Sequence, residues 1–191
     1  MVYKKIIRQN IIIQIILFFV LIAIDRLTKY WAVQVLKEKI AIPLIPNVLE
    51  FRYLENNGAA FGFLQNQQWL FYVITVIVMA AIVFFWIRVI KLQKSYITLE
   101  PDKFRKKTFL DRSFLNYVLV FLAAGAIGNL IDRIAHNYVV DFIYFRLINF
   151  PIFNFADICV SLSAIILVIF FIFIYKEDSE FVLLGGKKSN G

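Results

Sequence analysis

Cysteine and histidine are almost missing from this sequence, which has one of each, Cys159 and His136, in 191 residues. A single cysteine has no partner for an intrachain disulfide. Zinc sites need several cysteine or histidine ligands at short, defined spacings, and no such spacing occurs here. The sequence therefore excludes a disulfide scaffold, and we expect neither a metal nor another cofactor.

Charged residues are also scarce, at 18% of the chain, and 21 basic residues outnumber 13 acidic ones to give a net charge of +8. Hydrophobic residues make up 61% of the chain and the mean hydropathy is +0.76, whereas soluble domains are about 45–50% apolar. A chain of this size cannot bury such an excess. The composition excludes a disordered chain, a coiled coil and collagen. It indicates a protein dissolved largely in lipid rather than one that binds nucleic acid.

Four stretches reach the roughly 20 apolar residues that a bilayer-spanning helix needs; they cover residues 9–30, 68–90, 114–133 and 155–175. We therefore predict an all-α integral membrane protein with four transmembrane helices, built as one domain over residues 1–175. The first stretch begins like a secretion signal. Ile24 and Asp25 follow Ala23, however, where a cleavage site needs small residues, so we expect this helix to be retained.

The basic residues predict the orientation of the four spans. Fourteen of the 21 fall in the N-terminal tail, in the segment from Arg88 to Arg112 and in the tail at 176–191. Loops rich in lysine and arginine stay in the cytoplasm. Both termini and the loop 91–112 are therefore expected to be cytoplasmic, and segments 31–67 and 134–153 are expected outside.

The segment between the first two spans has the pattern of a small sheet. Pro43, Pro46 and Asn47 interrupt it, and residues 48–54 alternate like a strand. We predict a β-rich platform over about residues 40–65, resting on the outer leaflet.

Polar residues at the outer ends of the spans are the candidate functional groups, because ionisable groups at membrane depth cost about 2.5–3.5 kcal/mol each. On the third span Gly125, Gly128, Asn129 and Asp132 share one helical face. Small residues allow a neighbouring helix to approach, and the polar ones then face protein. The alternative is that Asp132 and Arg133 only anchor the helix at the interface.

On the fourth span, Asn154 and Asp157 have the spacing of a helix-capping box, which is the simpler interpretation of this pair. Asp141 lies alone in an apolar run that precedes this span. If Asp141 and Asp157 meet, the two carboxyl groups share one proton near neutral pH, the arrangement with which aspartic proteases activate water. On the first span Asp25 and Lys29 are one turn apart, which a local ion pair also explains.

Five short motifs occur in order and together resemble the bacterial lipoprotein signal peptidases (signal peptidase II). They are Asp25-x-x-Thr28-Lys29, Asn56-x-Gly58-Ala59-Ala60-Phe61, Gly128-Asn129-x-x-Asp132-Arg133, Val140-Asp141-Phe142 and Phe153-Asn154-x-Ala156-Asp157. Each is weak alone, but five in sequence at the outer ends of four predicted spans are specific. The resemblance covers about residues 15–175.

This resemblance implies an aspartic endopeptidase of the bacterial cytoplasmic (inner) membrane, with its active site on the periplasmic side. Such enzymes cut prolipoproteins before a cysteine that carries a diacylglyceryl group. The family pattern places the catalytic pair on Asp141 and Asp157. The supporting positions are Asp25, Lys29, Asn56, Gly58, Gly128, Asn129, Arg133 and Asn154. The implied fold is a four-helix bundle with a periplasmic β-cradle between helices 1 and 2. The implied partners are membrane lipids, diacylglyceryl-prolipoproteins and globomycin-type inhibitors; we expect a monomer.

Two other functions remain open from the residues alone. Buried acids also serve proton-coupled transporters and channels, although the candidate acids lie at one end and the inner halves of the spans look apolar. A non-catalytic scaffold explains the small-residue helix faces but gives no reason for two acids beside apolar runs.

Overall fold

Four long helices and a small sheet make up the computed structural model, which describes residues 2–58, 67–99 and 106–174. The elements follow in the order α1 (Val2–Leu36), β1 (Ile42–Ile45), β2 (Leu49–Asn56), α2 (Gln68–Leu99), α3 (Lys106–His136), β3 (Val139–Phe145) and α4 (Phe155–Ile169). A 3₁₀ turn, Arg146–Ile148, follows β3, and a π-helical turn, Phe170–Ile174, extends α4.

All four helices contain a stretch long and apolar enough to cross a membrane, namely Lys5–Leu36, Gln68–Lys91, Ser113–His136 and Phe155–Phe173. The predicted fold class, a mainly helical membrane protein with a small sheet, is confirmed. The helices are longer than the apolar runs. α1 extends past both ends of the 9–30 run, and α2 and α3 extend into the segment predicted as the loop 91–112. Lysine and arginine are good helix formers, so a helix need not end where its apolar stretch does. The tail at 176–191 lies outside the described residues.

The sheet contains a strand that the sequence did not predict. Its order is β1-β2-β3 and both pairings are antiparallel. The first two strands fall within the predicted 40–65 segment, whereas β3 comes from the connection between α3 and α4. It pairs with β2 so that Leu54 lies opposite Asp141. The cradle is therefore formed by two distant parts of the chain.

Small residues bring α3 and α4 into close contact. A Cβ atom added at Gly125 would lie 2.5 Å from the backbone oxygen of Ala156 and 3.1 Å from the Cβ of Cys159. Glycine is thus needed at 125 because only hydrogen fits between the two backbones. This contact fixes the position of the first turn of α4 against α3.

Aromatic packing holds the sheet over the C-terminal end of α1, and we call this end of the helix bundle the sheet end. Ala32 and Leu36 are buried against Phe142, and the ring centroids of Trp31 and Phe51 are 5.1 Å apart. On its other edge β3 is tied to the start of α4, since the Ile143 N–H donates to the Phe153 carbonyl at 2.8 Å. These contacts bring β3 next to α4.

The opposite half of the bundle is less apolar than the sequence suggests. Gln14, Gln93, Ser113 and Asn116 are all buried there. The indole N–H of Trp86 donates to Gln14 at 2.8 Å, and the Gln93 amide donates to Ser113 at 3.2 Å. The expectation of wholly apolar inner halves was therefore wrong. A single polar residue within a long apolar run hardly changes the hydropathy of that run, so these positions could not be recognised from the sequence. In the structure they face other helices rather than lipid.

Candidate active site

Asp141 lies on β3 with its carboxylate held between two amides. Its side chain is 1% exposed. The Asn56 side chain donates to Oδ2 at 2.8 Å and the Asn154 side chain donates to Oδ1 at 2.6 Å. Burial and the neighbouring Asp157 carboxylate raise the pKa of Asp141 to about 7, although both hydrogen bonds favour the charged form. This carboxyl can therefore bind and release a proton near neutral pH.

Asp157 lies in the first turn of α4, as the sequence pattern indicates. The Asn154 side chain accepts a hydrogen bond from the Asp157 N–H at 3.0 Å, and the Asn154 N–H donates to Asp157 Oδ2 at 3.1 Å, which completes a capping box. The other carboxylate oxygen, Oδ1, accepts from the Asn129 side chain at 2.8 Å. The capping box therefore orients the Asp157 carboxylate from within α4, and the hydrogen bond from Asn129 holds it from α3.

Two amides connect the carboxylates. The Asn154 Nδ2 group donates both to Asp141 and, at 3.1 Å, to Asn129 Oδ1, while Asn129 Nδ2 donates to Asp157. The fully buried Asn154 also caps α4. The side chains of one strand and two helices are thus held in one hydrogen-bonded chain running from Asp141 to Asp157.

Both carboxylates line a cavity of about 480 Å³ at the sheet end. It is bounded by the start of α2, the end of α3, the start of α4 and the chain that leads into α4. The lining residues include Asn56, Gly58, Phe71, Asn129, Arg133, Val139, Phe150, Pro151, Ile152, Ser161 and Leu162. The wall is mostly apolar, with polar groups concentrated around the two acids, as in sites that orient an amphipathic ligand.

Behind the cavity, four charged side chains form a closed ring of alternating sign, which we call the ion ring (Asp25, Arg26, Lys29 and Asp132). Arg26 contacts Asp25 and Asp132 at 2.5 Å each, and Lys29 contacts the same two carboxylates at 3.2 and 3.0 Å. Two positive and two negative charges cancel within the ring, which lowers the cost of burying any one of them.

The ion ring is joined to the carboxylate site by Lys29. Its Nζ donates to Asn129 Oδ1 at 2.8 Å, which leaves the Nδ2 group of the same amide facing Asp157. The ring also reaches β3, because Asp132 accepts from the Val140 N–H at 3.2 Å.

Comparisons with known proteins agree with this arrangement of a membrane bundle and an acidic site. The sequence model of signal peptidase (SPase) II matches residues 17–173. The chain belongs to the signal peptidase II family. It is similar to the lipoprotein signal peptidase of Clostridium tetani, with 39% identity over 86% of this chain and 94% of that protein. It is also similar to the lipoprotein signal peptidase of Streptococcus pyogenes (strain Manfredo), with 35% identity over 83% and 90% of the two chains.

Two solved structures of bacterial membrane enzymes, determined by the in meso method at 2.3 and 1.9 Å resolution, share this fold. They superimpose with TM-scores of 0.63 and 0.62 at 29% identity. Each comparison covers 87% of this chain, and 93% and 94% of the solved chains. The resemblance predicted from the five motifs is confirmed, and membership in the signal peptidase II family makes this chain a protease.

Most of the positions that match the family motifs come together at the sheet end. Asn56, Asn129 and Asn154 bond the two acids. Gly58 lines the cavity and its N–H donates to Asn56 Oδ1 at 2.9 Å. Ala59, Ala60 and Phe61 lie outside the described residues. Arg133 faces the cavity, and its guanidinium stacks on the Phe71 ring at 4.2 Å.

Gly128, Asp25 and Lys29 lie behind the cavity and do not line it. A Cβ atom at Gly128 would lie 2.7 Å from Asp25 Oδ2, so glycine makes room for the ion ring. The sequence reading missed Arg26, and it left Asp132 as a possible interfacial anchor. In the structure Asp132 is buried and paired. An arginine within an apolar run was the signal available, because it is costly in lipid without a partner.

Over residues 2–58, 67–99 and 106–174, no group of three or more histidine, cysteine, aspartate or glutamate side chains is placed to hold a metal ion. Cys159 is buried against α3 and is not in the cavity lining.

Proposed function

We propose that this protein is an intramembrane aspartic endopeptidase that removes signal peptides from diacylglyceryl-modified prolipoproteins. It cuts on the N-terminal side of the lipidated cysteine. The relatives named above are lipoprotein signal peptidases, and family membership supports this substrate class. Asp141 and Asp157 are the proposed catalytic residues. The observation that carries this assignment is that both carboxylates line one cavity and are joined by a chain of two hydrogen-bonded amides, Asn154 and Asn129.

In the proposed mechanism a water molecule lies between the two carboxyl groups, which together hold one proton. The ionised carboxylate accepts a proton from the water while the water oxygen attacks the carbonyl carbon of the residue before the cysteine. The other carboxyl group donates its proton to the carbonyl oxygen. The tetrahedral intermediate then collapses: one of its hydroxyl groups returns a proton to the ionised carboxylate, the C–N bond breaks, and the cysteine nitrogen takes the proton of the other carboxyl group, so that the dyad again holds one proton.

The charges of the cavity support a dyad that carries one proton. The ion ring is neutral by itself, which leaves Arg133 as a further cation in the cavity wall. Its single positive charge balances the single negative charge of a dyad that holds one proton. Two ionised carboxylates would leave the site with an uncompensated negative charge at membrane depth, which is costly.

The position of the cavity suits a substrate anchored in the bilayer. Ser161 and Leu162 of α4 and Phe71 of α2 are part of its wall, and these helices contain membrane-spanning stretches. The acyl chains of the substrate can remain in lipid while the peptide reaches the carboxylates. The diacylglyceryl group therefore supplies binding energy without a deep soluble pocket.

The decisive experiment measures cleavage of a synthetic prolipoprotein peptide with and without its diacylglyceryl group. We expect Asp141→Asn and Asp157→Asn each to lower the rate by about 10²–10⁴-fold, the usual contribution of a general acid or base. Glu38→Gln, at an exposed carboxylate outside the cavity, is the matched control and should cleave normally. Wild-type rates in either aspartate variant would refute the dyad, and equal rates on the unlipidated peptide would refute the substrate assignment.

We further propose that the sheet end faces the periplasm and that both termini lie in the cytoplasm of a bacterial cell. The distribution of basic residues supports this orientation. A membrane-impermeant maleimide should label Glu38→Cys in intact cells and Arg8→Cys only after permeabilisation. The reverse pattern would overturn the orientation. Inhibition by globomycin-type compounds and a monomeric state are further proposals for the purified protein.

Proton transport is the alternative that the buried acids leave open. All seven carboxylates whose side chains the structure describes lie toward the sheet end, at Asp25, Glu38, Glu50, Glu55, Asp132, Asp141 and Asp157. A relay needs groups at both faces of the membrane. Proton flux in proteoliposomes that survives Asp157→Asn, with no peptide cleavage by the wild type, would favour transport. If the protein shows no proton flux and no peptide cleavage, the result would favour a scaffold.

A further inference from the structure

Arg26 lies outside the cavity and is bonded to three groups, two of them carboxylates of the ion ring. Its guanidinium contacts the carboxylates of Asp25 and Asp132, and Nη2 also donates to the Gly128 carbonyl at 2.9 Å. The side chains of Asp25, Lys29 and Asp132 are at most 3% exposed, whereas that of Arg26 is 29% exposed. Arg26 therefore closes the ring on its more open side.

The Lys29 ammonium links the ring to a side chain of the carboxylate site. Lys29 divides its positive charge among Asp25, Asp132 and the Asn129 carbonyl oxygen, and the contact with Asn129 is the shortest of the three, at 2.8 Å. Together with the hydrogen bond from Asn154, this contact keeps the Asn129 amide oriented with its Nδ2 group toward Asp157. An amide has nearly the same shape when turned by 180°, so its orientation depends on such contacts.

We propose that Arg26 is a positioning residue that controls the protonation of the carboxylate pair through Lys29 and Asn129. This proposal rests on the proposed function. While Arg26 neutralises one of the two ring carboxylates, Lys29 is free to donate to Asn129. Without Arg26, two carboxylates compete for one ammonium group, Lys29 moves toward them, and Asn129 Oδ1 loses the shorter of its two hydrogen bonds and keeps the one from Asn154 at 3.1 Å. The amide is then held less firmly with its N–H group toward Asp157, and the ring carries an excess negative charge; both effects disfavour the ionised form of the pair.

The choice of arginine fits this role because three acceptors must be reached at once. The planar guanidinium offers separate N–H groups to Asp25, Asp132 and Gly128. A lysine at this position keeps the charge but lacks the planar fork of separate N–H groups that the guanidinium directs at these three acceptors. The carbonyl of Gly128 lies one residue before Asn129, so the same side chain also fixes the backbone that carries the amide.

The test is the pH dependence of kcat and KM for cleavage of the lipidated peptide by four forms of the full-length protein: wild type, Arg26→Gln, Asp132→Asn and the double variant. Arg26→Gln should move the acid limb of the kcat profile to higher pH by about one unit, which is a tenfold change in proton affinity. KM should change less than twofold, roughly within the scatter of such measurements, because Arg26 does not line the cavity. Asp132→Asn leaves an excess positive charge in the ring and should move the limb to lower pH.

The double variant separates positioning from a merely structural role. Removing one cation and one anion restores a neutral ring, so its acid limb should return to the wild-type pH even if its thermal stability is the lowest of the four. Arg146→Gln, an exposed arginine 3.5 Å from Glu50 on the sheet, is the matched control and should keep the wild-type profile.

Two results would overturn the proposal. The first is a kcat profile of Arg26→Gln that superimposes on that of the wild type. The second is an acid limb that moves in the same direction in both single variants and does not return to the wild-type pH in the double variant. If Arg26→Gln fails to fold, the Asp132→Asn shift and its reversal in the double variant still decide the question. Failure of the proposed function is distinct, because the wild type would then not cleave the peptide at all.

Discussion

Replacing Asn154 by serine separates the two tasks that this one side chain performs. Its oxygen caps α4 by accepting from the Asp157 N–H at 3.0 Å, and its nitrogen donates to Asp141 at 2.6 Å and to Asn129 at 3.1 Å. Serine is also a good N-cap. Its hydroxyl is too short to reach Asp141 while it caps the helix. Serine therefore keeps the cap and loses the contact with the carboxylate, whereas alanine loses both.

The magnitudes follow from these contacts. Loss of a hydrogen bond to a charged group costs about 1.5–3 kcal/mol, and loss of an N-cap costs about 0.5–2 kcal/mol. We expect Asn154→Ala to lower the free energy of unfolding by about 2–5 kcal/mol and Asn154→Ser by about 1.5–3 kcal/mol. If the full contact with Asp141 is needed in the transition state, both variants lose about 10–100-fold in kcat.

Cleavage of the lipidated peptide and thermal unfolding in detergent measure the two effects on the same samples. Asn57→Ser is the matched control, because Asn57 is exposed in the neighbouring loop and does not line the cavity. A kcat for Asn154→Ser within twofold of the wild type would refute the idea that this amide holds Asp141, since the lost bond is expected to cost at least about tenfold. Equal unfolding temperatures for the serine and alanine variants would refute the capping argument.

Three further predictions concern the acid pair and the helix contacts. The pKa of Asp141 is raised from 3.8 to about 7 in the folded protein, so its contribution to stability is fully present below pH 3.8 and is lost as the pH rises from there through about 7. The unfolding temperature should therefore fall between about pH 4 and 7 in the wild type and fall less in Asp141→Asn. Gly125→Ala should lower the free energy of unfolding by about 1–3 kcal/mol, because the new methyl group meets the Ala156 backbone oxygen at 2.5 Å; an unchanged unfolding temperature would contradict the close helix contact. The methyl group added by Gly128→Ala would lie 2.7 Å from Asp25 Oδ2. We expect this variant to lose a larger fraction of its kcat than of its free energy of unfolding, which activity and melting assays on one preparation would reveal.

The helices and the local geometry of α4 could be predicted from sequence because both depend on neighbouring residues. A run of about 20 apolar residues specifies a membrane span without knowledge of the rest of the chain. The capping box of Asn154 and Asp157 joins residues three apart, and the structure contains it. The alternation at residues 48–54 predicted β2, which covers Leu49–Asn56.

Contacts between distant parts of the chain could not be predicted in this way. The strand β3 was missed because Val139–Phe145 is a nearly unbroken apolar run at the end of a membrane helix, and its partner is about 90 residues earlier in the chain. Arg26 was counted only as one of the basic residues, because the carboxylate that it binds, Asp132, is 106 positions away. Five ordered motifs indicated the family, but motif order does not reveal which side chains touch.

The sequence by itself determined that this is a membrane protein with four spanning helices, and it indicated which short motifs carry chemistry. It could do so because the length of an apolar run and the spacing of residues are local properties. Only the tertiary structure decided that α3 packs among the other three helices, that the ion ring stands behind the acids, and that two asparagine amides join Asp141 to Asp157. Those features depend on the close approach of helix backbones at glycine and on charges that are buried only as a neutral set. Both conditions exist only after folding has brought remote segments together.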